Sequence, residues 1–132
     1  MSCCDGALIY INNQTSGKSA VDITIISVSP QNSTTLTGFS ANQTIASGAA
    51  PSASVESADG SNGAAEGQIV IQVGASQQFT LNYNFKPRNE FGHCPCNPNG
   101  SSSPQSAGGY KVNTKGTTGE NGGCVLNFYV ES

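Results

Sequence analysis

The run from Gln77 to Phe85 restricts the fold more than any other stretch. Phe79, Leu81, Tyr83 and Phe85 alternate with Thr80, Asn82 and Asn84. A period of two marks a strand with one buried and one wet face. Just ahead of it, Gln68 to Val73 sets Ile69, Ile71 and Val73 on one face and Gln68 and Gln72 on the other. The short polar link Gly74-Ala75-Ser76 joins the two runs, which predicts a β-hairpin. Burying the four large side chains of the second run is worth about 1.5–3 kcal/mol each at most. The rest of the chain is expected to organise around this hairpin.

Shorter segments repeat the pattern. Leu8 to Asn12 reads as an apolar strand entering a turn at Asn12 to Gly17. Val21 to Val28 reads as a second strand, stopped by Pro30. Thr34 to Phe39, Gln43 to Ile45 and Ser52 to Ser57 are short strands, and Ala58 to Ala65 is a glycine-rich loop. After the hairpin, Lys86 to Gly109 lacks periodicity and is rich in Pro, Gly and Ser. It is expected to be a long loop, and loops of that length are usually functional or disordered. Tyr110 to Thr114 and Cys124 to Val130 complete the set, with a turn at Lys115 to Gly123. Seven to nine short strands and no convincing helix predict an all-β, single-domain, antiparallel β-sandwich, jelly-roll-like. Residues 1–7 are expected to form a flexible arm carrying a cysteine pair, and residues 8–132 the domain.

Composition narrows the function. With 132 residues the chain fits one core. Its net charge of -3 and its scattered basic residues exclude a phosphate-neutralising nucleic-acid surface. No apolar run approaches the length of a membrane span. The start, Met1-Ser2-Cys3-Cys4-Asp5, lacks the basic and apolar regions of a secretory signal. Either a leader lies outside this stretch, or, as expected here, the protein is made in the cytoplasm without one and released or deposited outside the cell.

Cys3, Cys4, Cys94, Cys96 and Cys124 are the disulfide candidates, and five is odd, so one is left over in any monomeric scheme. Cys3 and Cys4 are adjacent and well placed on an arm for bridges between molecules. Cys124 alternates with Leu126 and Phe128 and suits a small buried hydrophobe. His93, Cys94, Cys96 and one distant cysteine are the donors a zinc site would take, but the doubled Cys-x2-Cys spacing is missing. Disulfides, inside or between chains, are preferred, and no metal is expected. No nucleophile and base are paired around the lone His93, with only Glu90 nearby. Lys115-Gly116-Thr117-Thr118-Gly119 lacks the order and following helix of a phosphate loop. Glu56 and Glu66 sit beside Ser57 and Gly67 in turn-like contexts. No catalytic residue, cofactor or enzymatic activity is expected. One cluster stands out where the central strand meets the long loop. Phe85, Lys86, Arg88 and Phe91 bring aromatic and basic side chains together, which suits a membrane interface or a polar ligand.

Several of these anchors, in order, resemble the aegerolysin family, especially its small bacterial insecticidal members. The family has an apolar strand running into Asn-Asn-x-Thr, as in Ile11-Asn12-Asn13-Gln14-Thr15. It has Glu-Ser before a glycine-rich loop, as at Glu56-Ser57, and Glu-Gly opening a strand, as at Glu66-Gly67. It has an aromatic strand ending near proline, as from Phe79 to Pro87, and a late pattern like that of Tyr110, Thr114, Gly116 and Gly119. The family's usual tryptophans are absent. The resemblance implies a β-sandwich that binds membrane lipid, the small component of a pore-forming or insecticidal toxin acting with a larger partner protein. A second resemblance, to subunits of bacterial endospore appendages, rests on Cys3-Cys4 and on Gly123-Cys124-Val125-Leu126-Asn127-Phe128-Tyr129. It implies a self-assembling extracellular fibre, with the arm hooking a neighbouring copy and disulfides locking the contact.

Overall fold

A computed structural model describes residues 3–57, 64–88, 94–120 and 123–132, apart from the side chain of Glu120. Two sheets of six strand segments each face one another. The segments are β1 (Leu8–Gln14), β2 (Ile23–Gln31), β3 (Thr35–Thr37), β4 (Thr44–Ile45), β5 (Ser52–Glu56), β6 (Ala65–Val73), β7 (Gln77–Pro87), β8 (Pro95–Ser103), β9 (Ser106–Ala107), β10 (Tyr110–Thr117), β11 (Gly119–Glu120) and β12 (Val125–Glu131). A 3-10 turn, Gly17–Ser19, follows β1. The first sheet has the order β3-β5-β1-β12-β10-β9, and the second β11-β8-β7-β6-β2-β4.

The all-β sandwich is what the alternation predicts. The strand count exceeds the expected seven to nine by β8, β9 and β11: the last two have only two residues each, too few to show a period, and β8 lies within the expected long loop. The sandwich is also not wholly antiparallel: β1 and β12 run parallel, with Ile9 beside Leu126 and Ile11 beside Phe128.

The hairpin β6–β7 forms the middle of the second sheet. Its register pairs Ile71 with Phe79, Ile69 with Leu81, Gly67 with Tyr83 and Ala65 with Phe85. All eight are buried, and all but Gly67 meet Ile9, Ile11, Leu126, Phe128 and Val130 of the first sheet in one core. Gly67 has a steric reason to be glycine. A Cβ there would lie 2.7 Å from the Ser29 carbonyl oxygen and 2.7 Å from Cζ of Tyr83, so the bare backbone is what lets the Tyr83 ring lie across it. The Tyr83 hydroxyl pays for that position by going without a hydrogen-bond partner among the described residues. Burial pushes its pKa up to about 12.

Two expectations about proline need correction. Pro30 does not stop β2, which runs on to Gln31. The neighbouring strand β4 pairs only with Ile23 and Thr24, so Pro30 sits where β2 has an open edge and no donor is missed. The supposed loop Lys86 to Gly109 contains β8, nine residues paired with β7 from Thr80 to Pro87. β11 covers only Pro95 and Cys96, which leaves Pro98 on an open edge as well. The core-facing positions of β8 are Cys96, Pro98, Gly100 and Ser102, too small or too polar to register as hydrophobic alternation. Small size is required here. A Cβ on Gly100 would fall 2.9 Å from Thr114 Cγ2 and 3.1 Å from Leu126 Cδ1, because the two sheets close on each other at this side.

Candidate functional site

The residues predicted to form a binding cluster end up in different environments. Phe85 is 0% exposed and packs on Tyr83, with ring centroids 6.2 Å apart and planes at 57°. It is a core residue and is withdrawn from the site; its parity with Phe79, Leu81 and Tyr83 turns it inward. Lys86, one residue later, has the opposite parity and is exposed, as is Arg88. Phe91 and His93 lie outside the described residues.

The basic end is held from three directions. Lys86 stands opposite Asn97 on β8, whose side-chain carbonyl accepts a 3.0 Å bond from the Thr118 hydroxyl. The Arg88 backbone N–H donates to the Pro95 carbonyl at 2.9 Å. Pro87 lies opposite Cys96, and here the chain is covalently braced. Cys4 is bonded to Cys96 and Cys3 to Cys94, with Cα–Cα distances of 5.2 and 5.1 Å. The two bridges form a double rung that ties the start of the chain to the hairpin end bearing Lys86 and Arg88.

This overturns the free N-terminal arm from Cys3 onward. Cys3 and Cys4 are buried. Backbone bonds continue the attachment: the Gly6 N–H donates to the Val55 carbonyl at 2.8 Å, and the Val55 N–H to the Ala7 carbonyl at 2.9 Å. Sequence distance hid the pairing, since partners 91 and 92 positions apart share no local signal. Cys124 is the cysteine left over. It is 1% exposed, and burial pushes its thiol up to about 11, opposed only by a backbone hydrogen bond. As a nucleophile it is disabled.

The Asn-Asn-x-Thr motif serves the fold rather than a ligand. Asn13 is buried, and its amide donates to the carbonyls of Val21 (2.8 Å) and Ile45 (2.9 Å). Its side-chain oxygen accepts from the Thr15 N–H (3.2 Å) and hydroxyl (2.7 Å). One side chain thus latches β1, the turn after it and β4 together across the two sheets. Asn12 reaches instead to Asn127 and the Phe128 carbonyl on the neighbouring strand.

Among the described residues no helix is long and apolar enough to cross a membrane. The two disulfides are compatible with an oxidising, extracellular setting. No model of a known protein family matches the chain, and no curated protein sequence matches it.

Proposed function

We propose that the chain is a lipid-binding, toxin-type recognition module of the aegerolysin class, which meets a membrane surface with the braced basic end at Lys86 and Arg88. One observation carries the choice. Four cysteines are joined to one another within the chain and the fifth is buried, so a neighbouring copy finds no exposed thiol to cross-link. The competing reading, a disulfide-locked fibre subunit, draws on those same cysteines. A binding module, by contrast, gains from the bridges. They hold two cations on a rigid end, so little ordering entropy opposes contact with a headgroup layer. The finer points belong to the same proposal: release or deposition outside the cell, and a larger pore-forming partner.

Each Lys or Arg near an anionic bilayer contributes about 1 kcal/mol. Lys86→Ala with Arg88→Ala should therefore lower partitioning onto vesicles containing anionic lipid by about thirtyfold. Binding of the parent should weaken with added salt, and that of the double variant should respond less. Co-sedimentation with liposomes, alongside circular dichroism to confirm folding, reads this directly. Equal co-sedimentation of the double variant and the parent would remove the basic end from the proposal. Oligomer ladders on a non-reducing gel that collapse with reductant would instead favour the fibre.

A further inference from the structure

The outer face of the second sheet carries a groove of about 320 Å³ that the basic end does not use. Cross-strand register builds it. One row of side chains crosses four strands as Gln31, Glu66, Asn84 and Asn99, and the next passes through Asn82 and Ser101. Adjacent strands lie about 4.8 Å apart, so the polar groups stand close enough to engage one ligand together. Between the rows lie Gly67, Tyr83 and Gly100, whose parity points them into the core, so they offer the groove only backbone as its floor.

Much of this hydrogen-bonding capacity is unused by the fold. Glu66 accepts from the Asn32 amide, and Asn82 accepts from Gln68 at 2.9 Å. The side chain of Asn99 has one marginal contact, 3.5 Å to the Asn97 carbonyl. The side chains of Gln31, Asn84 and Ser101 have no hydrogen-bond partner among the described residues.

The chemistry of the lining selects a ligand class. Each amide both donates and accepts, and the carboxylate accepts twice, which matches a row of hydroxyls that each do both. The lining holds one carboxylate and no cation, so a phosphate or sulfate meets repulsion there. The Tyr83 ring is turned inward and no other aromatic residue lines the groove, so a quaternary ammonium finds no π face. An apolar shoulder lies further along the same face. The bulge between Ile25 and Ser27 leaves Ile26 39% exposed, the one exposed large hydrophobic side chain among the described residues, next to half-buried Val70. Partners for hydroxyls at one point and an apolar patch for C–H groups further along the same face describe a chain of sugars.

We infer that this groove binds a neutral oligosaccharide, with Glu66, Asn84 and Asn99 engaging the hydroxyls of one unit and Ile26 with Val70, about 13 Å further along the sheet, meeting the C–H face of another. The groove shares β7 and β8 with the basic end, Lys86 standing one row beyond Asn84 on the same face, but its own lining holds a carboxylate and no cation, so the two readings differ in charge character. The test takes the full chain with its disulfides intact. It is applied to a printed panel of neutral oligosaccharides and to neutral vesicles with and without a neutral glycolipid. Retention on at least one neutral glycan is expected, weakened about tenfold or more in Glu66→Gln and in Asn84→Ala with Asn99→Ala. The second variant removes amides on which the fold does not depend, so it keeps the test valid if Glu66→Gln disturbs Asn32. Binding to free sugars names a soluble glycan as the source, and binding confined to glycolipid vesicles names a headgroup; both support the site. No retention on any neutral glycan in either form, or retention indifferent to both variants, overturns it.

Discussion

Removing the disulfides one pair at a time should give a strongly non-additive result. Cys4–Cys96 and Cys3–Cys94 close loops of nearly the same length, with partners 92 and 91 positions apart. By loop-closure entropy, one such bridge constrains the unfolded chain by about 4.6 kcal/mol. Once either is in place, however, the other closes only the small ring through Cys3, Cys4, Cys94, Pro95 and Cys96. A ring of about five residues is worth only about 2 kcal/mol. Cys3→Ala with Cys94→Ala should then cost about 2 kcal/mol, and so should Cys4→Ala with Cys96→Ala. The quadruple variant should lose about 6–7 kcal/mol, well beyond the sum of the two pairs. That is a large share of the 5–15 kcal/mol typical of a domain, so the quadruple variant should be near the limit of folding. Replacing both partners of a bridge with alanine leaves no orphan thiol, and equilibrium urea unfolding monitored by circular dichroism measures each term. If the two pair variants each lose half of the quadruple loss, the bridges act independently through native contacts and the loop argument fails. If a single pair already costs about 4–5 kcal/mol, the shared-loop geometry is refuted.

Three further outcomes follow from buried polar groups. Asn13→Ala should destabilise by about 3 kcal/mol, because the Ile45 carbonyl loses its amide donor and the Thr15 N–H its acceptor, while the Val21 carbonyl keeps only the 3.2 Å bond from the Thr15 hydroxyl. Asn13→Asp should be at least as harmful, since it turns a carboxylate toward the same two carbonyls; chemical denaturation ranks the two. Gly67→Ala should cost about 2–3 kcal/mol through overlap with Tyr83 and the Ser29 carbonyl, and Tyr83→Phe alone should be neutral or mildly stabilising, because it deletes a hydroxyl without a partner. Alkali should weaken the fold through Cys124 and Tyr83, whose values rise from 9.0 to about 11 and from 10.0 to about 12 on burial. Below about pH 8 both groups are protonated in both states and contribute no pH dependence. Above it, the unfolded chain releases protons that the folded chain still holds, so stability falls as pH rises, until the folded groups titrate near 11 and 12. The urea midpoint should drop between pH 8 and 10.5, and Cys124→Ala with Tyr83→Phe should flatten that drop; an unchanged slope in the double variant would exclude these groups as its source.

The alternation of Phe79 to Phe85 and of Ile69 to Val73 determined by itself that this chain forms strands, that the hairpin turns at Gly74, and which side faces the core. Side-chain parity is a local property of extended backbone, so it needs no knowledge of distant partners. The same parity already placed Phe85 inside, and clustering it with Lys86 mistook sequence adjacency for a shared face. Other features exist only after folding. β8 lies hidden among Pro, Gly, Asn and Ser because its inward positions had to be small where the sheets close. The cysteine pairing joins segments some ninety residues apart, and composition limits such pairings without choosing among them. Along β7, Asn82 and Asn84 register only as a wet face. They become a groove when Gln31, Glu66 and Asn99 arrive beside them on other strands. Periodicity along one strand says which way a side chain points, and only the register between strands says what it points beside.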